Sequence, residues 1–103
     1  METGTKGTLL LVEDDAPQRR TLAGFLRKRG WRVAEAGSAE EGLEIGVEGG
    51  VDLLVTDLRL GGPDGISLLR DLRRTHPDVQ AIVVTAFGTV EDAVHAMRAG
   101  AYD

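Results

Sequence analysis

The chain has 103 residues, 42% of them hydrophobic and 28% charged, and a net charge of −5, the size and balance of one soluble domain. The acid excess offers no basic patch to nucleic-acid phosphate, so no direct nucleic-acid contact is expected, and the absence of cysteine excludes disulfides and thiolate metal sites. No apolar run reaches membrane-spanning length and METGTKG (1–7) lacks the core of a signal peptide, so the expected location is cytoplasmic, without membrane contact. Residues 1–7 read as a flexible N-terminal arm, and 8–103 as one domain.

In chain order, TLLLV (8–12) is a near-continuous apolar burst, as expected for a parallel strand covered on both faces. It runs into Glu13, Asp14 and Asp15; Asp15, ahead of Pro17, suits a helix N-cap. Leu22, Phe25 and Leu26 then mark one helical face, and Gly30 its stop. WRVAEA (31–36) has a shorter apolar run and is more polar, like an edge strand, with Trp31 packing where the strand begins. Ser38 and Glu41 form a capping box ahead of Leu43 and Val47. DLLVT (52–56) is the third strand and leads into Asp57. Ile66, Leu69 and Leu72 make the third helical face. AIVVT (81–85) is the fourth strand. Thr89 and Asp92 open a fourth helix carrying Val90, Ala93, Val94 and Met97, closed by Gly100. The arginines (Arg19, Arg20, Arg27, Arg29, Arg70, Arg73, Arg74) fall where exposed helix faces are expected. His76 and His95 have no partner at metal-ligand spacing and read as surface residues.

The pattern is βαβαβαβα, which implies an α/β doubly wound parallel sheet with right-handed crossovers and helices on both faces. In such sheets the functional crevice lies beyond the carboxyl ends of the strands, where strand order reverses. Glu13-Asp14-Asp15, Thr56-Asp57 and Thr85-Ala86 all stand at those ends. Carboxylates gathered in one pocket raise one another's pKa unless a cation compensates. Oxygen-only ligands select a hard cation such as Mg2+. An aspartate there can also attack phosphorus and form an acyl phosphate, with a hydroxyl such as that of Thr85 binding a phosphoryl oxygen. The loop DLRLGGPDG (57–65) can hold the backbone of Arg59 within reach of the ion. Its Gly61-Gly62 pair follows a strand end instead of opening a helix, and is not a phosphate cradle.

These stretches, LLLVEDD, DLLVTDLRLGGPDG and IVVTAFGTVEDAVHAMRAGAYD, with their spacing, resemble the receiver domain of two-component response regulators, most closely the nitrogen-regulation type. The resemblance covers the chain from about Thr8 to Asp103. It implies the flavodoxin-like receiver fold with strand order 2-1-3-4, the fifth strand and helix missing. It further implies that Asp57 is the phosphoacceptor, that Asp14 is the direct Mg2+ ligand and that Glu13 acts through water. Asp57 joins the same ligand set, Arg59 lends its backbone carbonyl to the metal, and Thr85 is the switch hydroxyl. The implied partner is a sensor histidine kinase, and the implied role is a switch of protein–protein contacts controlling an output domain for transcription, not an enzyme.

Two departures from the family pattern stand out. Gly61 occupies the place where the family's loop usually has proline, and Pro63 follows two residues later. The family's switch aromatic and lysine, by register, fall after Asp103. A chain without the fifth strand leaves AIVVT as an exposed apolar edge, a template for homodimerisation or a domain swap. The alternatives are an interaction module that no longer takes phosphate, or a truncated remnant; the intact acids, Asp57 and Thr85 argue against degeneration. A Mg2+-dependent phosphohydrolase needs a second acid two residues past its nucleophile, where this chain has Arg59. A flavodoxin-like cofactor binder needs a first loop that welcomes phosphate, which three acids would repel.

Overall fold

The computed structural model describes residues 6–62, 64–84 and 101–102. The elements in order are β1 (Gly7–Val12), α1 (Ala16–Lys28), β2 (Trp31–Ala36), α2 (Ala39–Glu48), β3 (Leu53–Asp57), α3 (Gly65–Leu72), β4 (Gln80–Val84) and β5 (Ala101–Tyr102). They form one parallel sheet of order β2-β1-β3-β4-β5. This is the flavodoxin-like doubly wound order, in which connections leave β1 in opposite directions.

β1 is apolar and buried from Leu9 to Val12 because both of its faces are covered. Along β1, alternate side chains serve two cores, as the two-residue period of a strand requires. Leu9 and Leu11 join Ala23 of α1 and Val55 of β3 on one face. Leu10 and Val12 join Leu54 and the α3 residues Leu68, Leu69 and Leu72 on the other. Leu9, Leu10, Val12, Leu54, Leu69 and Leu72 have no solvent exposure at all. The helix starts are set by short polar side chains. Asp15, Ser38 and Asp64 each accept a backbone N–H three residues on, from Gln18, Glu41 and Ser67. Glu41 completes its box on the N–H of Gly37, one residue before the cap, at 2.7 Å.

Several sequence expectations shift. The ladder begins at Gly7, one residue before the expected strand, and the Lys6 N–H already donates to the Gly30 carbonyl. On α1, Ala23 faces the sheet, with Leu26 partly buried beside it; Leu22 and Phe25 stand on the exposed flank, where the Arg29 guanidinium lies 4.4 Å from the Phe25 ring centre. On α2 the buried face is Ala39, Gly42 and Gly46, so Leu43 packs only partly and Val47 is exposed. The fourth-strand edge is not bare, because Ala101 and Tyr102 pair with Ala81 and Ile82 as the start of a fifth strand. That pairing occupies backbone groups on which a homodimer or swap through this edge would depend. Trp31 is half-buried against the α1-side core, as expected. Arg19 and Arg73 are half-buried, not on exposed faces; the Arg73 guanidinium donates to the Val79 carbonyl. The fourth helix, with Thr89, Asp92 and His95, and also Pro63, lie outside the described residues. No helix among the described residues is long and apolar enough to cross a membrane.

Candidate functional site at the strand ends

β1 and β3 lie side by side in parallel register, with Val12 opposite Thr56. The next residue on each chain, Glu13 and Asp57, therefore reaches the rim at the same level. β1 ends there because Glu13 turns away after its N–H donates to the Ala36 carbonyl of β2, and Asp15 then caps α1. Asp57 is the last residue of β3 and is itself paired with Val84 of β4. Thr85, the expected switch hydroxyl, follows Val84 in sequence and lies outside the described residues.

Glu13, Asp14 and Asp57 each bring a carboxylate oxygen into one group in which these atoms all lie within 4.8 Å of one another. Glu13 and Asp57 are half-buried and Asp14 is exposed. Burial pushes the Glu13 carboxyl above its ordinary pKa, and the neighbouring Asp14 and Asp57 push it in the same direction, while the hydrogen bond that Glu13 accepts from the Asp15 N–H opposes them. Among the described residues no salt bridge reaches any of the three acids. The donor set is all oxygen, converging and short of positive charge, which fits a hard divalent cation such as Mg2+.

The surrounding loops fix this geometry. The Arg59 N–H donates to Asp57 Oδ1 at 3.2 Å, so the backbone after β3 curls over the carboxylate. Gly61 has φ +74, and a Cβ there would stand 3.7 Å from Asp14 Oδ2. Proline, fixed near −65°, cannot adopt that angle, so Gly61 in the place of the family's proline gives a differently turned loop beside Asp14.

Three contacts were not anticipated from the sequence. Gly65 opens α3 with its N–H on the Leu58 carbonyl, and a Cβ there would meet the Asp57 carbonyl oxygen at 2.5 Å and Thr56 Cγ2 at 2.8 Å. Thr56, fully buried, donates its hydroxyl to that same carbonyl at 2.9 Å. Arg19 of α1 donates through Nη1 to the Glu13 carbonyl at 2.9 Å. A DG pair before an apolar run could have flagged Asp64 and Gly65 as a cap and first turn; for Arg19 the sequence carries no signal.

Comparison with known proteins agrees with this architecture. The family profile of the response regulator receiver domain matches residues 9–103. The chain is 37% identical over 102 residues to the photosynthetic apparatus regulatory protein RegA of Cereibacter sphaeroides, covering 99% of this chain and 55% of RegA. It is 36% identical over 95 residues to the transcriptional regulatory protein ZraR of Escherichia coli K12, covering 92% of this chain and 22% of ZraR. The chain thus spans about a fifth of the length of one such relative and just over half of the other. A solved Burkholderia pseudomallei response regulator with a phosphorylated aspartic acid, calcium ion and citrate superimposes with a TM-score of 0.85 at 30% identity, covering 92% of this chain and 56% of that one.

Proposed function

The chain belongs to the response regulator receiver domain family, and on that premise we propose that it accepts a phosphoryl group on Asp57 from a sensor histidine kinase. The observation that carries this reading is the convergence of Glu13, Asp14 and Asp57 at the ends of β1 and β3.

A carboxylate oxygen of Asp57 attacks phosphorus in line. The bond from phosphorus to the donor breaks, its electron pair leaves with the donor group, and an acyl phosphate remains on Asp57. Bound Mg2+ would supply charge neutralisation for the transferring group. Asp14 would hold it directly, Glu13 through water, and Asp57 and the Arg59 carbonyl would complete the protein's share of the ligands. The Arg59 N–H, already on Asp57 Oδ1, orients the carboxylate. Asp14 and Glu13 keep the rim acidic, so that an unaccompanied anion is repelled. Thr85 would move its hydroxyl to a phosphoryl oxygen, and the added charge would shift the surface that follows β4 between two states.

The output is a change in protein–protein contact. RegA and ZraR carry names of regulatory proteins, ZraR's of a transcriptional one, and both are longer than this chain, which supports coupling to an output domain for transcription. The chain acts as a switch on which the phosphoryl group resides, not as a catalyst for a separate substrate.

Intact mass after incubation with acetyl phosphate and Mg2+ tests the reading. The expected result is a gain of one phosphoryl mass that requires the metal and disappears in Asp57→Asn. No gain in a cooperatively folded sample overturns it.

A further inference from the structure

Arg19 touches the acidic rim in a manner that none of the roles above uses. It lies in the first turn of α1, its side chain 18% exposed. Nη1 donates to the backbone carbonyl of Glu13 at 2.9 Å, and Nε stands 3.4 Å from Glu35 Oε1 on β2, an ion-pair contact without hydrogen-bond geometry. The other oxygen of Glu35 is 3.2 Å from Arg27, whose guanidinium also donates to the Val33 carbonyl. A Cβ on Gly37 would come within 3.2 Å of Arg19 Nη1, so the guanidinium fills the space beside that glycine.

The peptide of Glu13 is therefore held on both sides. Its N–H is on the Ala36 carbonyl and its C=O is on Arg19. Both groups trace to β2, one through the strand end and the other through Glu35. The guanidinium meets the Glu13 carbonyl and Glu35, so it fixes the backbone from which the Glu13 and Asp14 side chains hang and leaves their carboxylates to a cation. An arginine is suited to this task because its planar fork serves two acceptors at once, which a lysine ammonium on a flexible stem does less well.

We propose that Arg19 is a positioning residue for the phosphoacceptor pocket: held by Glu35, it clamps the Glu13 carbonyl and so sets the Glu13–Asp14 pair at the distance from Asp57 that a divalent cation requires. This rests on the function proposed above. Partners that orient a metal's ligands typically contribute tenfold or more to affinity.

Mn2+ binding, read from the electron paramagnetic resonance of the free ion, tests the inference on the full chain, with urea unfolding in the absence of metal to verify folding. Arg19→Gln is expected to weaken Mn2+ binding about tenfold. Arg19→Lys recovers part of the loss, and Glu35→Gln gives a smaller loss. The double variant Arg19→Gln/Glu35→Gln binds no more weakly than Arg19→Gln, since Glu35 acts only through the arginine. Unchanged affinity in a folded Arg19→Gln, or losses that multiply in the double variant, overturns the proposal. If Arg19→Gln does not fold, Glu35→Gln decides alone, and wild-type affinity there overturns it. A wild-type chain that binds no Mn2+ refutes instead the reading of the pocket itself, an outcome distinct from a wild type that binds and variants that bind equally.

Discussion

Gly65 stands so close to Asp57 that a Cβ on the glycine would lie 2.5 Å from the aspartate's carbonyl oxygen. The obstacle is backbone, flanked by the buried Thr56, and cannot rotate away. Gly65→Ala should therefore lower stability by about 1–3 kcal/mol through forced displacement of α3 or of the strand end, and should slow Asp57 phosphorylation as well. Gly24, inside α1 with nothing within 4 Å of its added Cβ, provides the contrast. Gly24→Ala should stabilise by about 0.5–1 kcal/mol. Urea unfolding of the two variants checks both signs.

Glu13→Gln should make the metal-free protein more stable at pH 7. The Glu13 carboxyl has its pKa raised in the folded state by burial and by Asp14 and Asp57, so folding binds its proton more tightly than the unfolded chain does. Such a group is most favourable to folding below its ordinary value of 4.5 and costs stability as pH rises from there through the raised value. The advantage of the glutamine variant should shrink towards zero below pH 4.5. Added Mg2+ should reverse the order at pH 7, stabilising the wild type more than the variant. Urea midpoints with chelator and with Mg2+ across pH 3–8 measure both effects.

Leu69, fully buried between α3 and the sheet, and Phe25, 51% exposed on α1, should separate sharply. Leu69→Ala is expected to cost about 2–5 kcal/mol. Phe25→Ala should cost about 1 kcal/mol or less, since half of the ring is already in water. Chemical denaturation of each variant distinguishes them.

Asp64→Ala removes the oxygen that accepts the Ser67 N–H at the start of α3. A loss of about 1 kcal/mol is expected, measurable as a lower thermal midpoint. Because α3 begins against Asp57, the same variant should raise hydrogen exchange at the Leu58 and Arg59 amides.

What the sequence made legible is what depends on period and strand ends. LLLV had to be a strand covered twice, and three acids immediately after it had to lie at a rim, which is where Glu13, Asp14 and Asp57 meet. What it hid depends on which elements become neighbours. Leu22 and Phe25 looked like the core face of α1, yet the helix turns Ala23 to the sheet, and only the packed position of α1 decides between adjacent residues. Arg19 read as a surface charge because its acceptors, the Glu13 carbonyl and Glu35, are brought to it by the β1–β2 pairing. The edge of β4 looked bare because the resemblance put the fifth strand after Asp103, whereas Ala101 and Tyr102 already pair with β4.

The register that sets Val12 opposite Thr56 also determines when the rim can exist during folding. β1 leaves the ribosome before β3, and the residues it pairs with there lie 44 positions later in the chain. Closing so long a loop is entropically slow, and contacts of that separation form after the local helices. Until they form, Glu13 and Asp14 sit at the end of a half-satisfied strand with Asp57 elsewhere, and their mutual repulsion is dispersed in water. The carboxylates acquire their shared pocket only in the step that joins β1 to β3. On the proposed reading, a cation held between Glu13 and Asp57 would require the β1–β3 pairing, and its binding at the rim would report the completed centre of the sheet.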